Sequence, residues 1–409
     1  MRQLRRTLRS SGLLGAGLAT LLLGAARPAP AQGEGYRERA LRLLRTVPLI
    51  DGHNDIPDAI RARGGVDSVD FAAPQPKLMT DVPRLRAGEV GGQFWAAYVP
   101  VTTIHAGEHP AVYALEQIDL VHRLCGRYRQ TLADARTAGD VERNFAAGKI
   151  SCLIGIEGGH AIENSLGALR MFSALGVRYM TLTHWETIDW ADAATDSARH
   201  NGLTPFGEEV VREMNRLGML VDISHVSDKT FYDVLALTTK PVIASHSSCR
   251  ALANIPRNMT DDMLKALAKN GGVIGINFGS GFLNPKDAER TMANINAMKA
   301  QEPDLTGKPL DDYAMKEYLS QDWAHPKPAV ATIDDVVAHI DRVVKVAGID
   351  HVGIGTDFDG IPDVPKGLED VSKMPALTAA LLKRGYSEAD IGKIMGGNFL
   401  RVMKQVIGK

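Results

Sequence analysis

Five side chains able to bind a metal ion stand at the downstream ends of apolar runs: His53 and Asp55 in VPLIDGHND, Glu157 in ISCLIGIEGG, His225 in MLVDISH and His246 in PVIASH. A mixed set of imidazoles and carboxylates suits a pair of zinc ions better than magnesium or calcium, whose sites are nearly all oxygen. His-x-Asp at a strand end should present two donors on one side, because strand side chains alternate with period two. The carboxylate of Glu157 has two oxygens with which to bridge two ions, and Gly158 and Gly159 behind it allow close backbone approach. Singly, each residue has an ordinary explanation, as a salt-bridge partner, a solvated acid or a satisfied histidine. Together they describe a centre that activates water for attack on an electrophilic carbon.

Such a centre needs a scaffold that gathers distant residues. Eight β-type runs alternate with helical periodicity: Val47 to Asp51, Gln93 to Val99, Ile150 to Glu157, Val177 to His184, Met219 to His225, Pro241 to His246, Val273 to Phe278 and His351 to Asp357. Between them, segments such as EHPAVYALEQIDLVHRL, SLGALRMFSAL, GEEVVREMNRLG and TIDDVVAHIDRVVKVAG repeat apolar residues every three or four positions. Strand then helix, eight times over, predicts an α/β fold of the (β/α)8 TIM-barrel type. A doubly wound open sheet shares the alternation. Chemistry-bearing residues at strand ends from the first strand to the last favour a closed barrel, whose strand ends meet at one face. Residues 57 to 92 and roughly 279 to 330 are polar excursions rich in Pro and Gly, and both follow strand ends, so they are expected to overhang that face.

The chain has 409 residues, 44% of them hydrophobic and 23% charged, enough for one elaborated domain over residues 32–409. Residues 1–31 combine a basic start, a short apolar run and a small-residue APA site, which reads as an export signal delivering the protein to the periplasm or the medium. Arg5 and Arg6 ahead of Thr7 and Leu8 partly match a twin-arginine signal, and paired arginines are common in any signal, so the general secretory and twin-arginine routes both stay open. No membrane anchor is expected, since no Cys follows the apolar run and the C-terminus is not a hydrophobic tail. Removal of the signal leaves 42 basic against 48 acidic side chains, a net charge of −6, which argues against a nucleic-acid surface. Cys125, Cys152 and Cys249 permit at most one disulfide, and Cys152, inside an apolar run, reads as a small core residue.

DGHNDIP, GIEGG, LTHWETIDWADA, DISHVS, ASHSSCRAL, NIPRNMTDDML, GIGTDFDGI and GGNFLRV, spread over residues 51 to 400, make the chain resemble the membrane (renal) dipeptidase family of zinc dipeptidases, amidohydrolase-like metal-dependent barrels. The resemblance implies two zinc ions per chain, one on His53 and Asp55, the other on His225 and His246, with Glu157 bridging both. It implies hydrolysis of dipeptides, including those with a C-terminal D-residue, and a homodimer. It also makes Asp357 the proton-transferring group and a substrate contact, His184 the contact to the substrate carbonyl, and Arg257 the holder of the substrate carboxylate. Asp359 is the neighbour that competes with Asp357, and Arg250 the one that competes with Arg257. His184 has a plainer reading as a histidine packed beside Trp185 and Trp190. Phe282 stands where the mammalian enzymes have a tyrosine near that carboxylate. The other eight histidines are read as non-ligands, with His160, soon after Glu157, the strongest candidate for an exception. A zinc amidohydrolase for N-acyl-amino acids or β-lactams fits the same residues, whereas the intact ligand set with Asp357 argues against a binding protein that keeps the barrel without catalysis. Preferred side chains and the physiological substrate are not legible.

Overall fold

The computed structural model describes residues 35–105, 107–301 and 330–408; the expected export signal and residues 302–329 of the second excursion lie outside the described residues. Gly35–Lys409 forms one compact unit. Among the described residues its nine strands are β1 (Leu49–Asn54), β2 (Val90–Tyr98), β3 (Leu132–Asp134), β4 (Ile150–Glu157), β5 (Val177–Thr181), β6 (Leu220–Asp222), β7 (Ile243–Ser247), β8 (Val273–Ile276) and β9 (Val352–Ile354). All pair in parallel. Eight of them close a ring in the order β1-β2-β4-β5-β6-β7-β8-β9, with the pairing of β2 to β4 and of β1 to β9 completing it. The chain is therefore a (β/α)8 barrel.

The expected strands are all present, most of them shorter than the apolar runs. His184, His225 and Asp357 lie three residues beyond the ends of β5, β6 and β9. Helix N-caps help to end the loops that follow: Thr204, Ser227 and Thr260 each accept a hydrogen bond from the backbone N–H three residues on. The ninth strand, β3, was too short to register as a period-two run, and it pairs outside the ring with the first half of β4.

Alternation assigns the two faces of β4. Leu153 faces the barrel interior, and Gly155 and Glu157 lie on the same side above it. Gly155 is small for a reason: a Cβ there would fall 2.0 Å from the Tyr179 ring, which crosses the interior from β5. Cys152 points to the opposite, helix-facing side, where it forms a disulfide with Cys125 on the buried face of helix Pro110–Arg127. The reading of Cys152 as a plain core residue is thus corrected; its partner sits 27 residues away, and only helix packing brings the two together.

The bottom of the barrel is plugged. Ile50, Phe94, Leu153, Tyr179, Leu220, Ile243 and Val273, one from each of seven barrel strands, form a core with Phe399, Val402, Met403 and Val406 of the C-terminal helix Asn398–Val406. Phe399 comes so close that a Cβ at Gly52 or Gly353 would meet its ring at 2.7 or 2.6 Å. Phe399→Ala is expected to cost about 3–5 kcal/mol, the usual range for emptying a fully buried aromatic site. Equilibrium denaturation checks this, and a loss below about 1 kcal/mol would show that the barrel floor does not need the plug.

Candidate metal centre and substrate cleft

The five residues converge at the C-terminal mouth of the barrel, and all are buried. His53 lies in β1 where the register with β2 shifts between Asp51 and Asn54. Asp55 is past the strand, at the N-cap of helix Ile56–Arg61 with φ −96° and ψ 18°. Simple strand alternation therefore does not pair them; the irregular strand end and the turn into the helix do. Their atoms nevertheless meet, with His53 Nε2 3.2 Å from Asp55 Oδ2 and 3.4 Å from Glu157 Oε2. From the other side, His225 Nε2 and His246 Nε2 approach Glu157 Oε1 at 3.1 and 3.3 Å and stand 3.0 Å from each other. Glu157 so offers one oxygen to each half of the cluster.

These spacings fit a metal. Ligand atoms about 2.0–2.2 Å from a tetrahedral ion stand roughly 3.3–3.6 Å apart, close to the separations here. His53 Nε2, although buried, makes no hydrogen bond, and two imidazole nitrogens crowding one carboxylate oxygen call for a cation between them. His53, Asp55 and Asp357 form a further group of donor atoms within 4.8 Å of one another, and Glu157, His184 and His225 another. Asp357 and His184 thus belong to the same cluster as the five ligand candidates.

The supporting contacts orient the rings. Ser245 Oγ donates to Asp222 Oδ2 at 2.6 Å and lies 2.8 Å from His246 Nδ1. Because its one proton goes to Asp222, it accepts from Nδ1–H, and the lone pair of His246 Nε2 is left facing Glu157. His53 Nδ1 lies 2.8 Å from the Tyr179 hydroxyl. His225 and Asp357 take left-handed backbone conformations, φ 67° and 62°, that are uncommon outside glycine and turn the chain sharply at the barrel mouth.

Burial and neighbouring charges push the ionisable groups apart. For Glu157, burial alone would raise the pKa, but the imidazoles of His53, His184, His225 and His246 outweigh it and hold the carboxyl well below the usual range. Burial keeps His225 and His246 well below the ordinary histidine value, as lone-pair donors require. Asp357 is raised well above the carboxylate range by burial and by the Asp55 carboxylate beside it, and Asn277 Nδ2 donates to its Oδ2 at 2.7 Å.

The neighbouring candidates separate clearly. Asp359 accepts the backbone N–H of Met79 at 2.8 Å, anchoring the first excursion to the last barrel loop. Next to Asp359, Gly360 leaves room for Asp55, whose Oδ2 would lie 2.1 Å from a Cβ. Arg250 is engaged by both oxygens of Asp228 at 2.6 and 2.7 Å. Arg257 is buried in the cleft, over the Phe282 ring at 5.3 Å, with contacts to Ser247 Oγ and the His246 carbonyl but no carboxylate partner among the described residues. Burial lowers its pKa to about 10, so it keeps its charge at neutral pH. His160 is buried too, yet joins no group of metal donors among the described residues, and burial pushes it down to about 3. His200, His339 and His351 point their rings at backbone carbonyls, a structural use.

Around the cluster lies a cleft of about 180 Å³, walled by Tyr98, Trp185, Arg257, Phe282 and Asp58. That is small beside the roughly 300–1,000 Å³ of pockets for drug-sized ligands. Helix Pro285–Gln301 of the second excursion lends Arg290, Thr291 and Asn294 to the rim, and helix Ile56–Arg61 of the first lends Asp58. Tyr98 and Asn277 were legible in principle, since each ends or follows a barrel strand as the ligands do. Tyr179, Asp222 and Ser245 carried no signal, because inside a strand they read as ordinary alternation.

A sequence model of the family described as membrane dipeptidase, peptidase family M19, matches residues 37–408. The chain is 41% identical over 379 residues to dipeptidase verJ of Clonostachys rogersoniana, covering 90% of this chain and 86% of that protein. Among solved structures, it is similar to the probable dipeptidase PvdM from Pseudomonas aeruginosa, with a TM-score of 0.77 and 27% identity over 91% of this chain and 98% of the other. It is also similar to a metallopeptidase from Rhodobacter sphaeroides liganded with a phosphinate mimic of the dipeptide L-Ala-D-Ala, with a TM-score of 0.70 and 26% identity over 88% and 99% of the two chains.

Proposed function

The chain belongs to the membrane dipeptidase family, peptidase family M19, and is a metal-dependent hydrolase of dipeptides; from that premise we propose that it is an exported enzyme using two zinc ions, held by His53, Asp55, Glu157, His225 and His246. The observation that carries the residue assignment is the convergence of three imidazole nitrogens on the two oxygens of Glu157 at 3.1 to 3.4 Å. Divalent ions in such a pair supply a lowered water pKa and a polarised substrate carbonyl.

The protein's own groups do the rest. Asp357, oriented by Asn277 and raised in pKa, takes the proton of the attacking water and returns it to the leaving amine. His184, whose Nε2 is 4.0 Å from Glu157 Oε1 and whose ring faces the cleft, donates to the oxyanion that develops as the carbonyl is attacked. Arg257 holds the free carboxylate of the dipeptide and so sets the distance from that end to the scissile bond. Acceptance of a C-terminal D-residue is supported by the L-Ala-D-Ala mimic bound to the Rhodobacter sphaeroides relative. Export is supported by the character of residues 1–31 and by a disulfide, Cys125–Cys152, of the kind that persists in oxidising compartments. No helix among the described residues is long and apolar enough to cross a membrane.

Arg257→Ala is expected to lower kcat/KM for free dipeptides about ten- to a hundredfold, the value of a charge-assisted hydrogen bond, and to change little for the same dipeptides amidated at the C-terminus. Steady-state kinetics on the paired substrates checks this. Equal proportional loss on both would place Arg257 in the support of the metal centre and favour a broader amidohydrolase.

A further inference from the structure

We propose that Asp222 is a positioning residue of the metal centre, acting through the Ser245 hydroxyl to hold His246 in the one tautomer that can ligate. This inference rests on the zinc dipeptidase reading and deepens it, by assigning what selects the ligating form of one imidazole. A neutral histidine that binds a cation through Nε2 carries its proton on Nδ1, so whatever meets Nδ1 decides whether the ligand is ready. The three imidazoles around Glu157 differ on that side. His225 Nδ1 is buried and makes no hydrogen bond. His53 Nδ1 lies 2.8 Å from the Tyr179 hydroxyl, which can donate or accept and so enforces neither tautomer. Behind His246 the hydrogen-bonded chain runs through Ser245 to a carboxylate, both wholly buried.

Asp222 ends β6, and its two oxygens have different partners. Oδ1 accepts the backbone N–H groups of Ser224 at 3.1 Å and Ser245 at 2.8 Å, while Oδ2 accepts the hydroxyls of Thr181 at 2.5 Å and Ser245 at 2.6 Å. The rival acceptor for the Ser245 proton, Ser224 Oγ, is neutral and 3.4 Å away. That proton therefore points at Asp222, and a Ser245 lone pair faces His246 Nδ1 at 2.8 Å. The direction of the last bond is set at the carboxylate, not at the ring. Asp222→Asn would reverse it. Backbone N–H groups only donate, so the amide oxygen has to take the Oδ1 place, which leaves the NH2 facing the two hydroxyls. Ser245 then accepts from the amide and turns its own proton to His246 Nδ1, which drives the imidazole proton to Nε2, the atom facing Glu157.

Competition with a chromophoric chelator measures zinc affinity in the wild type, Asp222→Asn, Ser245→Ala and the double variant. Asp222→Asn is expected to weaken the first zinc ion to leave by about 10- to 100-fold, the usual effect of losing a partner behind a ligand. Ser245→Ala should weaken it less, because nothing then donates to Nδ1 and opposes the ligating tautomer. The double variant should return to the Ser245→Ala level, because no hydroxyl remains to relay the reversed bond. A carboxylate that only braced the strand ends would instead give losses that add. Unchanged affinity in Asp222→Asn, or a double variant that binds no better than Asp222→Asn, overturns the inference. Should Asp222→Asn not fold, the wild type decides. Ring 15N shifts of the metal-free, histidine-labelled protein, with His246 assigned by its absence from His246→Gln, should show the Nδ1–H form, and the Nε2–H form overturns the inference. A wild type that binds no zinc would overturn the zinc reading, with the tautomer measurement still deciding the role of Asp222.

Discussion

Glu157→Gln is expected to empty both halves of the metal centre together. One carboxylate oxygen faces His225 and His246 and the other faces His53 beside Asp55, so Glu157 touches both halves at once. Glutamine keeps the shape, removes the negative charge and turns one acceptor into a donor aimed at imidazole nitrogens. Even loss of a supporting partner behind a ligand typically costs 10- to 100-fold in metal affinity or activity, and loss of a bridging ligand should exceed that. Elemental analysis after dialysis should find close to two zinc ions in the wild type and substoichiometric metal in the variant, with dipeptide hydrolysis reduced at least about a hundredfold. A variant that keeps one tightly bound ion would show that the two halves are independent and that Glu157 does not bridge.

Asp357→Asn is expected to keep the metal and lose the chemistry. Asparagine can still accept the hydrogen bond from Asn277 and tolerates the left-handed backbone at this position, so the loop should hold its shape. What it cannot do is carry a proton between water and the leaving amine, a role generally worth about 10²- to 10⁴-fold in rate. The loss should fall on kcat. Asp359→Asn is the control: it also sits at positive φ, its Oδ1 accepts from Met79, and an amide oxygen can replace it with little effect on turnover. Because Asp357 stands within donor distance of His53 and Asp55, metal content decides its role. Zinc lost from the Asn variant would make Asp357 a ligand and move the proton transfer elsewhere.

Several features were legible because they are local. An apolar run that ends in His, Asp or Glu combines burial with polarity, and within a parallel barrel that combination has one place to go, the C-terminal mouth. The runs containing His53, Glu157, His225 and His246 therefore revealed both the strands and the face on which they end. The excursions were legible as over-long polar connections, and their described parts do supply the rim, through Asp58 on one side and Arg290, Thr291 and Asn294 on the other. The choice between Arg250 and Arg257 was not local. Both lie in one short loop, and only the tertiary contacts separate them: Asp228 engages Arg250, and Arg257 is the one of the two that lines the cleft.

The sequence by itself determined the eight-fold alternation, the family resemblance and the residue types at the strand ends, since each is written in periodicity or in a short motif. Only the tertiary structure decided which donors meet. Barrel closure sets Glu157 between His53 and the pair His225 and His246, and the irregular end of β1 with the turn at Asp55 aims two neighbours at one point where alternation alone would not. Closure also pairs Cys125 with Cys152, places Ser245 and Asp222 behind His246, and seats Phe399 under the barrel floor. Those contacts join residues whose separation along the chain carries no pattern, because they are fixed by strand order and by which face each side chain occupies.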